Sequence, residues 1–189
     1  MAIPKTLLPL LSSSLNVGVA LGGYATTVPF LNPDFSGLAI AAWFKDFFRP
    51  GFVIVTTLGA TSLGSGLWAA WTSSRRGTIQ GHAASSCWTL AGVVFTILHF
   101  AFGNTVLSIM DRITSEPELA QSQMTKWIWL HITRTLVADI PAWIFFLIGI
   151  PGLDRSRVTS DLSFEAELKM LMLTCYDSNI TCYATMVAF

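Results

Sequence analysis

The chain has 189 residues, 52% of them hydrophobic and only 12% charged, with a mean hydropathy of +0.59. An ordinary soluble domain carries roughly 25% charged residues, so this composition excludes a water-soluble globule. Eleven Lys plus Arg balance eleven Asp plus Glu; without a cationic excess to meet phosphates, a nucleic-acid partner is excluded as well.

The charge-free stretches define the elements. No charged residue lies between Lys5 and Asp34, between Arg49 and Arg75, or between Arg76 and Asp111, and from Lys126 to Asp154 the only charges are Arg134 and Asp139. A membrane span needs about 20 residues of low desolvation cost. The pattern therefore predicts an all-α, integral membrane four-helix bundle over residues 1–151. Its spans run roughly from Leu7 to Pro29, Phe52 to Trp71, Ser86 to Met110 and Trp127 to Ile150. Helix is preferred to strand because each window far exceeds the roughly 10 residues of a barrel strand and lacks strict alternation. The first window is too long for the apolar core of a signal peptide and reads as an anchor.

Between the spans, Phe35 to Phe48 is aromatic and weakly amphipathic, which predicts a segment lying along the membrane surface before Arg49-Pro50-Gly51 starts the second helix. Asp111 to Lys126 reads as a polar loop. Gly59, Gly64 and Gly66, with neighbouring Ser and Ala, predict close helix packing or contact between copies in a homo-oligomer. The tail, residues 152–189, is polar to mixed and carries no assignable function. Both termini fall on one side with Arg75 and Arg76. Counting Lys and Arg puts that side in the cytoplasm, which would leave the sequon at Asn179 unmodified. Cys87, Cys175 and Cys182 are odd in number and show no C-x-x-C spacing, against a disulfide scaffold, a zinc site or a thiol redox pair. No Gly-rich phosphate loop or metalloprotease signature is present.

Ionisable groups at hydrocarbon depth cost at least about 2.5 kcal/mol each and normally face the bundle interior with partners. His99, Asn104, His131, Arg134 and Asp139 are the polar groups at such depth. At about 1.5 Å per residue from the end shared by the third and fourth helices, Asn104 and Arg134 lie roughly 10 Å deep, and His99 and Asp139 roughly 18 Å deep. The count predicts two polar layers, Arg134 beside Asn104 and Asp139 beside His99. Trp127, His131, Arg134 and Ala138 share one helix face. The spacing of five turns Asp139 away from Arg134, which favours cross-helix partners over an intrahelical ion pair. The alternatives are an Arg134 that snorkels to the interface, a neutral Asp139 bonded to a hydroxyl, and a His99 that is simply a buried imidazole. The different depths of His99 and His131 argue against both binding one haem iron.

Trp127-x3-His131-x2-Arg134, Asn104 followed by Leu107, and Phe48-x2-Gly51 resemble the anthrone oxygenase-like family of small four-helix membrane proteins, common in fungal polyketide gene clusters. The likeness covers about residues 7–150. Two departures stand out: His131 where the family usually has Asn, and Phe102-Gly103 where it has Pro-Thr. The resemblance implies a membrane monooxygenase of secondary metabolism, placed in the endoplasmic reticulum. It would oxidise an anthrone to an anthraquinone with O2 as co-substrate and no other cofactor or metal. Trp127, Asn104 and Arg134 match the family pattern, whereas His99 and Asp139 come from the depth count. The expected roles are His99 as base oriented by Asp139, Arg134 with Asn104 stabilising an oxyanion, and Trp127, Trp129, His131 and Phe48 holding a hydrophobic aromatic substrate. The competing readings are a noncatalytic membrane protein that binds a hydrophobic intermediate or scaffolds biosynthetic enzymes, and a small transporter, against which the lack of an inverted repeat speaks.

Overall fold

A computed structural model describes residues 6–74 and 80–150. The cytoplasmic-side assignments that rest on Lys5, Arg75 and Arg76, the tail with its Asn179 sequon, and Cys175 and Cys182 lie outside the described residues. The described chain is helical. Helix α1 is Leu7–Thr27, followed by a 3-10 turn Val28–Leu31; α2 is Gly37–Ser74; α3 is Gln80–Ala101; α4 is Gly103–Ser115. A 3-10 turn Pro117–Leu119 leads into α5, Ala120–Arg134, which passes through a π turn, Thr135–Asp139, into α6, Ile140–Ile148.

Four segments are long and apolar enough to cross a membrane: Leu7–Leu31, Gly37–Ser74, Ser85–Ser115 and Pro117–Ile148. Their polarity is inverted relative to a soluble protein. Leu15, Val53, Val94 and Ile97 stand exposed on the outside, while Asn16, Ser62, Thr96, His99, Arg134 and Asp139 are buried. In water such an exterior would be an association surface; in hydrocarbon it is the favourable solvent, and only the interior offers polar groups their partners.

The second span corrects the sequence reading. Phe35 to Phe48 forms no separate surface segment: α2 is one helix of 38 residues that runs through Pro50. Ile40, Phe44 and Phe48, four residues apart, are buried and pack with Ile113, Met124 and Trp127 in the larger apolar core. At 1.5 Å per residue the helix is about 57 Å long, well beyond the roughly 30 Å of hydrocarbon. The part carrying exposed Lys45, Asp46 and Arg49 therefore projects past it. There, the missing N–H of the exposed Pro50 is tolerable because the freed carbonyl one turn back meets water. Gly37 clamps this projecting end. A Cβ on it would lie 1.8 Å from the Pro117 carbonyl oxygen, so only glycine lets α2 begin against the α4–α5 turn.

A second, smaller cluster of Val93, Ala142 and Phe146 holds the opposite end. Gly66 and Gly92 make the approach possible: a Cβ on either would come within 2.8 Å of Val93 or Phe146 side-chain atoms. Gly59 similarly admits the Phe100 ring, which a Cβ at that position would meet at 2.8 Å, whereas Gly64 faces open space. Two of the three glycines expected to pack do so.

Candidate active site

Between the two apolar ends lies the polar layer. It is held together by a change of helix type that α-helical periodicity does not anticipate. Pro141 has no N–H to give the carbonyl of Val137, and its ring crowds that carbonyl in an ordinary α-turn. The chain answers with a wider turn, in which the Ile140 N–H reaches back five residues to the Thr135 oxygen. Widening the turn rotates Asp139 back over Arg134. Arg134 Nε lies 3.5 Å from Asp139 Oδ2, so the intrahelical ion pair disfavoured by α-helical spacing is present.

Asp139 is the centre of the layer and is 3% exposed. Its Oδ1 accepts from His99 Nδ1, at 2.5 Å, and from Asn16 Nδ2, at 3.2 Å. The pairing of His99 with Asp139 expected from depth is therefore present. A carboxylate only accepts, so His99 must carry its proton on Nδ1, leaving Nε2 as the basic nitrogen. Nε2 has no hydrogen-bond partner among the described residues.

Arg134 is fixed from its other side by His131, whose Nδ1 lies 3.1 Å from Arg134 Nη2. His131 Nε2 lies 2.8 Å from the Ala20 carbonyl oxygen. The carbonyl can only accept and the guanidinium can only donate, so His131 is fixed with its proton on Nε2. Trp127 stacks on His131 with ring centroids 4.8 Å apart and planes 10° from parallel. Phe44 meets the Trp127 ring edge-on at 5.3 Å. Trp127, His131, Arg134 and Ala138 form the buried stripe that helical periodicity predicts.

His99, Trp127, His131 and Arg134 wall an open-mouthed cleft of about 100 Å3. Helix α2 supplies Phe47, Phe48 and Phe52; α3 supplies His99 and Phe100; α5 supplies Trp127, His131 and Arg134. The cleft is an apolar, aromatic slot with a histidine, a guanidinium and a second imidazole in its walls. Of the expected substrate contacts, Phe48, Trp127 and His131 line it; Trp129 does not and is 38% exposed.

Asn104 also departs from expectation. Its side chain is exposed, lines no part of the cleft, and does not bond Arg134. Depth alone places it in the layer. On an ideal helix, five residues separate it from His99 by about 140° in azimuth. The helix also tightens at the break between α3 and α4, where the Phe102 N–H bonds the His99 carbonyl three residues back at 3.3 Å, before Gly103, a poor helix former. Conversely, Asn16 is a member of the layer that sequence reasoning misses. Its signal is an amide in the middle of an otherwise hydrocarbon-compatible first span. Among the described residues, no group of three or more His, Cys, Asp or Glu is placed to hold a metal ion.

Fold and site together define a helical bundle with membrane-length spans and a buried His–Asp–Arg cluster whose histidine and arginine line an aromatic cleft. No protein-family model matches the chain, and no solved structure matches it. A stretch of 62 residues is 32% identical to an epoxidase, pydX, from Acremonium sp. That similarity covers 32% of this chain and 38% of the epoxidase, well under two thirds of the relative's length.

Proposed function

We propose that the chain is a membrane-embedded oxygenase of fungal secondary metabolism that oxidises a polyketide-derived anthrone to an anthraquinone with O2. The observation that carries this reading is the His99–Asp139 pair set in an aromatic cleft, with Arg134 in the same wall. The similarity to an epoxidase supports oxygen chemistry at the coarser level.

An anthrone carries a doubly benzylic CH2 opposite a conjugated carbonyl. His99 Nε2 takes one proton from that CH2, and Asp139 stabilises the imidazolium that forms. The electron pair left behind delocalises onto the carbonyl oxygen. Arg134 faces that oxyanion in a dry site, where a fixed cation counts for more than in water. The electron-rich anthrolate reduces O2 and combines with it at the former CH2 carbon, and the peroxide anion so formed takes the proton back from His99 to give a hydroperoxide. His99 then takes the remaining C–H proton as the O–O bond breaks, giving the second carbonyl and hydroxide, and hydroxide takes that proton from His99 as water. The sum is CH2 plus O2 to C=O plus H2O. The substrate supplies all the electrons, so the balance needs no external reductant. Trp127, Phe48 and the neighbouring rings hold the flat tricycle by stacking, at about 0.5–1.5 kcal/mol per favourable ring pair.

The test is oxygen uptake by membranes containing the protein and supplied with emodin anthrone, against empty membranes that report spontaneous oxidation. Arg134→Ala and Arg134→Lys are compared at matched abundance; the second keeps the charge but loses the planar fork. A protein-dependent rate that falls at least tenfold in both variants is the expected result. Equal rates in wild type, both variants and empty membranes overturn the reading and favour the noncatalytic alternative.

A further inference from the structure

A second, smaller cavity adjoins the polar layer. Ser13, Asn16, Ser62, Thr96, His99 and Asp139 line it, and its volume of about 10 Å3 matches the room one water molecule needs. The hydrogens of its hydroxyl groups are already used. Ser13 Oγ donates to the Leu10 carbonyl at 2.9 Å and Thr96 Oγ1 to the Gly92 carbonyl at 2.9 Å. Ser12 donates to the Leu8 carbonyl at 2.9 Å, so in its 2.7 Å contact with Ser62 the hydrogen comes from Ser62. These oxygens offer the cavity lone pairs only. Asn16 must turn its amide N–H toward the acceptor-only Asp139 carboxylate. Its own Oδ1 is thereby left buried with no donor, on a residue 7% exposed.

We propose that this cavity is a single-water site, and that Asn16 with its water is a positioning unit for Asp139. Water brings two hydrogens, one for Asn16 Oδ1 and one for a second lone pair in the wall. A neutral donor fits better than a cation because the Asp139 charge is already opposed by Arg134 at 3.5 Å. Donation to Oδ1 polarises the amide and strengthens its N–H bond to Asp139 Oδ1, the same oxygen that holds His99 in the tautomer with Nε2 free. Asn16 touches no substrate in this scheme. Its effect on turnover rests on the proposed oxygenase function; the water site itself does not.

The experiment uses the full-length protein in lipid nanodiscs, with 15N-labelled histidine to follow the His99 Nδ1 proton by NMR. A structure at water-resolving resolution reads the cavity directly. Asn16→Ala leaves space for an additional water, whereas Asn16→Leu fills the space with methyl groups. The expected results are density for one water in the wild type, a His99 proton signal retained in Asn16→Ala, and a displaced signal in Asn16→Leu. With emodin anthrone, kcat falls about tenfold in Asn16→Leu, the size of one lost buried hydrogen bond, with KM unchanged and most of the rate kept in Asn16→Ala. A dry cavity in the wild type, occupancy that requires sodium, or identical signals in the two variants overturns the proposal. An inactive protein that still shows the water and the Ala–Leu contrast refutes only the oxygenase reading.

Discussion

Replacing Asp139 with Asn tests the polar layer most directly, because the substitution keeps the shape and removes one charge. Asp139, Arg134 and His99 are 3%, 8% and 7% exposed, so bulk solvent cannot compensate for a lost charge. Asp139 accepts from His99 and Asn16 on one oxygen and faces Arg134 with the other. Asn offers one acceptor and one donor. Placed with its oxygen toward His99 and Asn16, it points an NH2 at the Arg134 Nε–H; flipped, it points that NH2 at the Asn16 amide. Either orientation opposes two donors and strands a buried guanidinium. Breaking a buried pair from one side costs about 3–5 kcal/mol. Asp139→Asn is therefore expected to lose stability of that order, read by denaturant titration in bicelles. If the proposed oxygenase function holds, turnover on emodin anthrone falls by roughly 10^2 to 10^4, the range for losing a positioned base and the partner that fixes its tautomer. Adding Arg134→Gln removes the stranded charge and should restore part of the stability but none of the turnover, a coupling that the double-mutant cycle measures. If Asp139→Asn is as stable as wild type, or the double variant is no more stable than the single one, the charges are not coupled and the account of the layer is wrong.

Other expectations follow from packing. Gly92→Ala should cost about 1–3 kcal/mol by overpacking against the buried Phe146 ring, seen as a lowered midpoint in the same titration. Gly59→Ala meets the tip of Phe100, a partly exposed ring that also lines the cleft. It should leave stability within about 1 kcal/mol and, on the proposed oxygenase function, raise KM for emodin anthrone, because the ring can swing only into the cleft. Trp127→Ala should cost about 3–5 kcal/mol through loss of a buried ring and its contacts with His131 and Phe44. Asn104→Ala, at an exposed position, should change stability by less than about 0.5 kcal/mol and leave oxygen uptake unaltered; a tenfold loss would return Asn104 to the site.

The spans are legible in the sequence because charge is so costly in hydrocarbon that its absence over about 20 residues is a signal independent of propensity. The His99–Asp139 pair is legible for a related reason: two consecutive antiparallel helices share a depth scale counted from their common end, and both groups fall at one level on it. Depth says nothing about azimuth, however, and Asn104 is misplaced on that account. The pairing of Arg134 with Asp139 is hidden because an α-helical spacing rule fails across residues that form a π turn, although Pro141, two positions after Asp139, marks the disturbance. Reading Pro50 as the start of a helix conceals the continuity of α2, which water makes tolerable at that projecting position. Asn16 escapes because the depth count runs from the end shared by the third and fourth helices, whereas Asn16 lies on the first.

The π turn also bears on how the fourth span reaches the membrane at all. Arginine and aspartate near the middle of a span each carry an insertion penalty of about 2.5–3.5 kcal/mol when considered singly. Here the turn lets one helix bring its own counter-ion, with Arg134 and Asp139 paired at 3.5 Å inside a single segment. The segment can thus enter the bilayer as a nearly self-neutralised unit during biogenesis. Docking onto Asn16 and His99, supplied by spans made earlier, then completes the coordination of Asp139. The cluster closes only when the span carrying Arg134 and Asp139 meets those carrying Asn16 and His99.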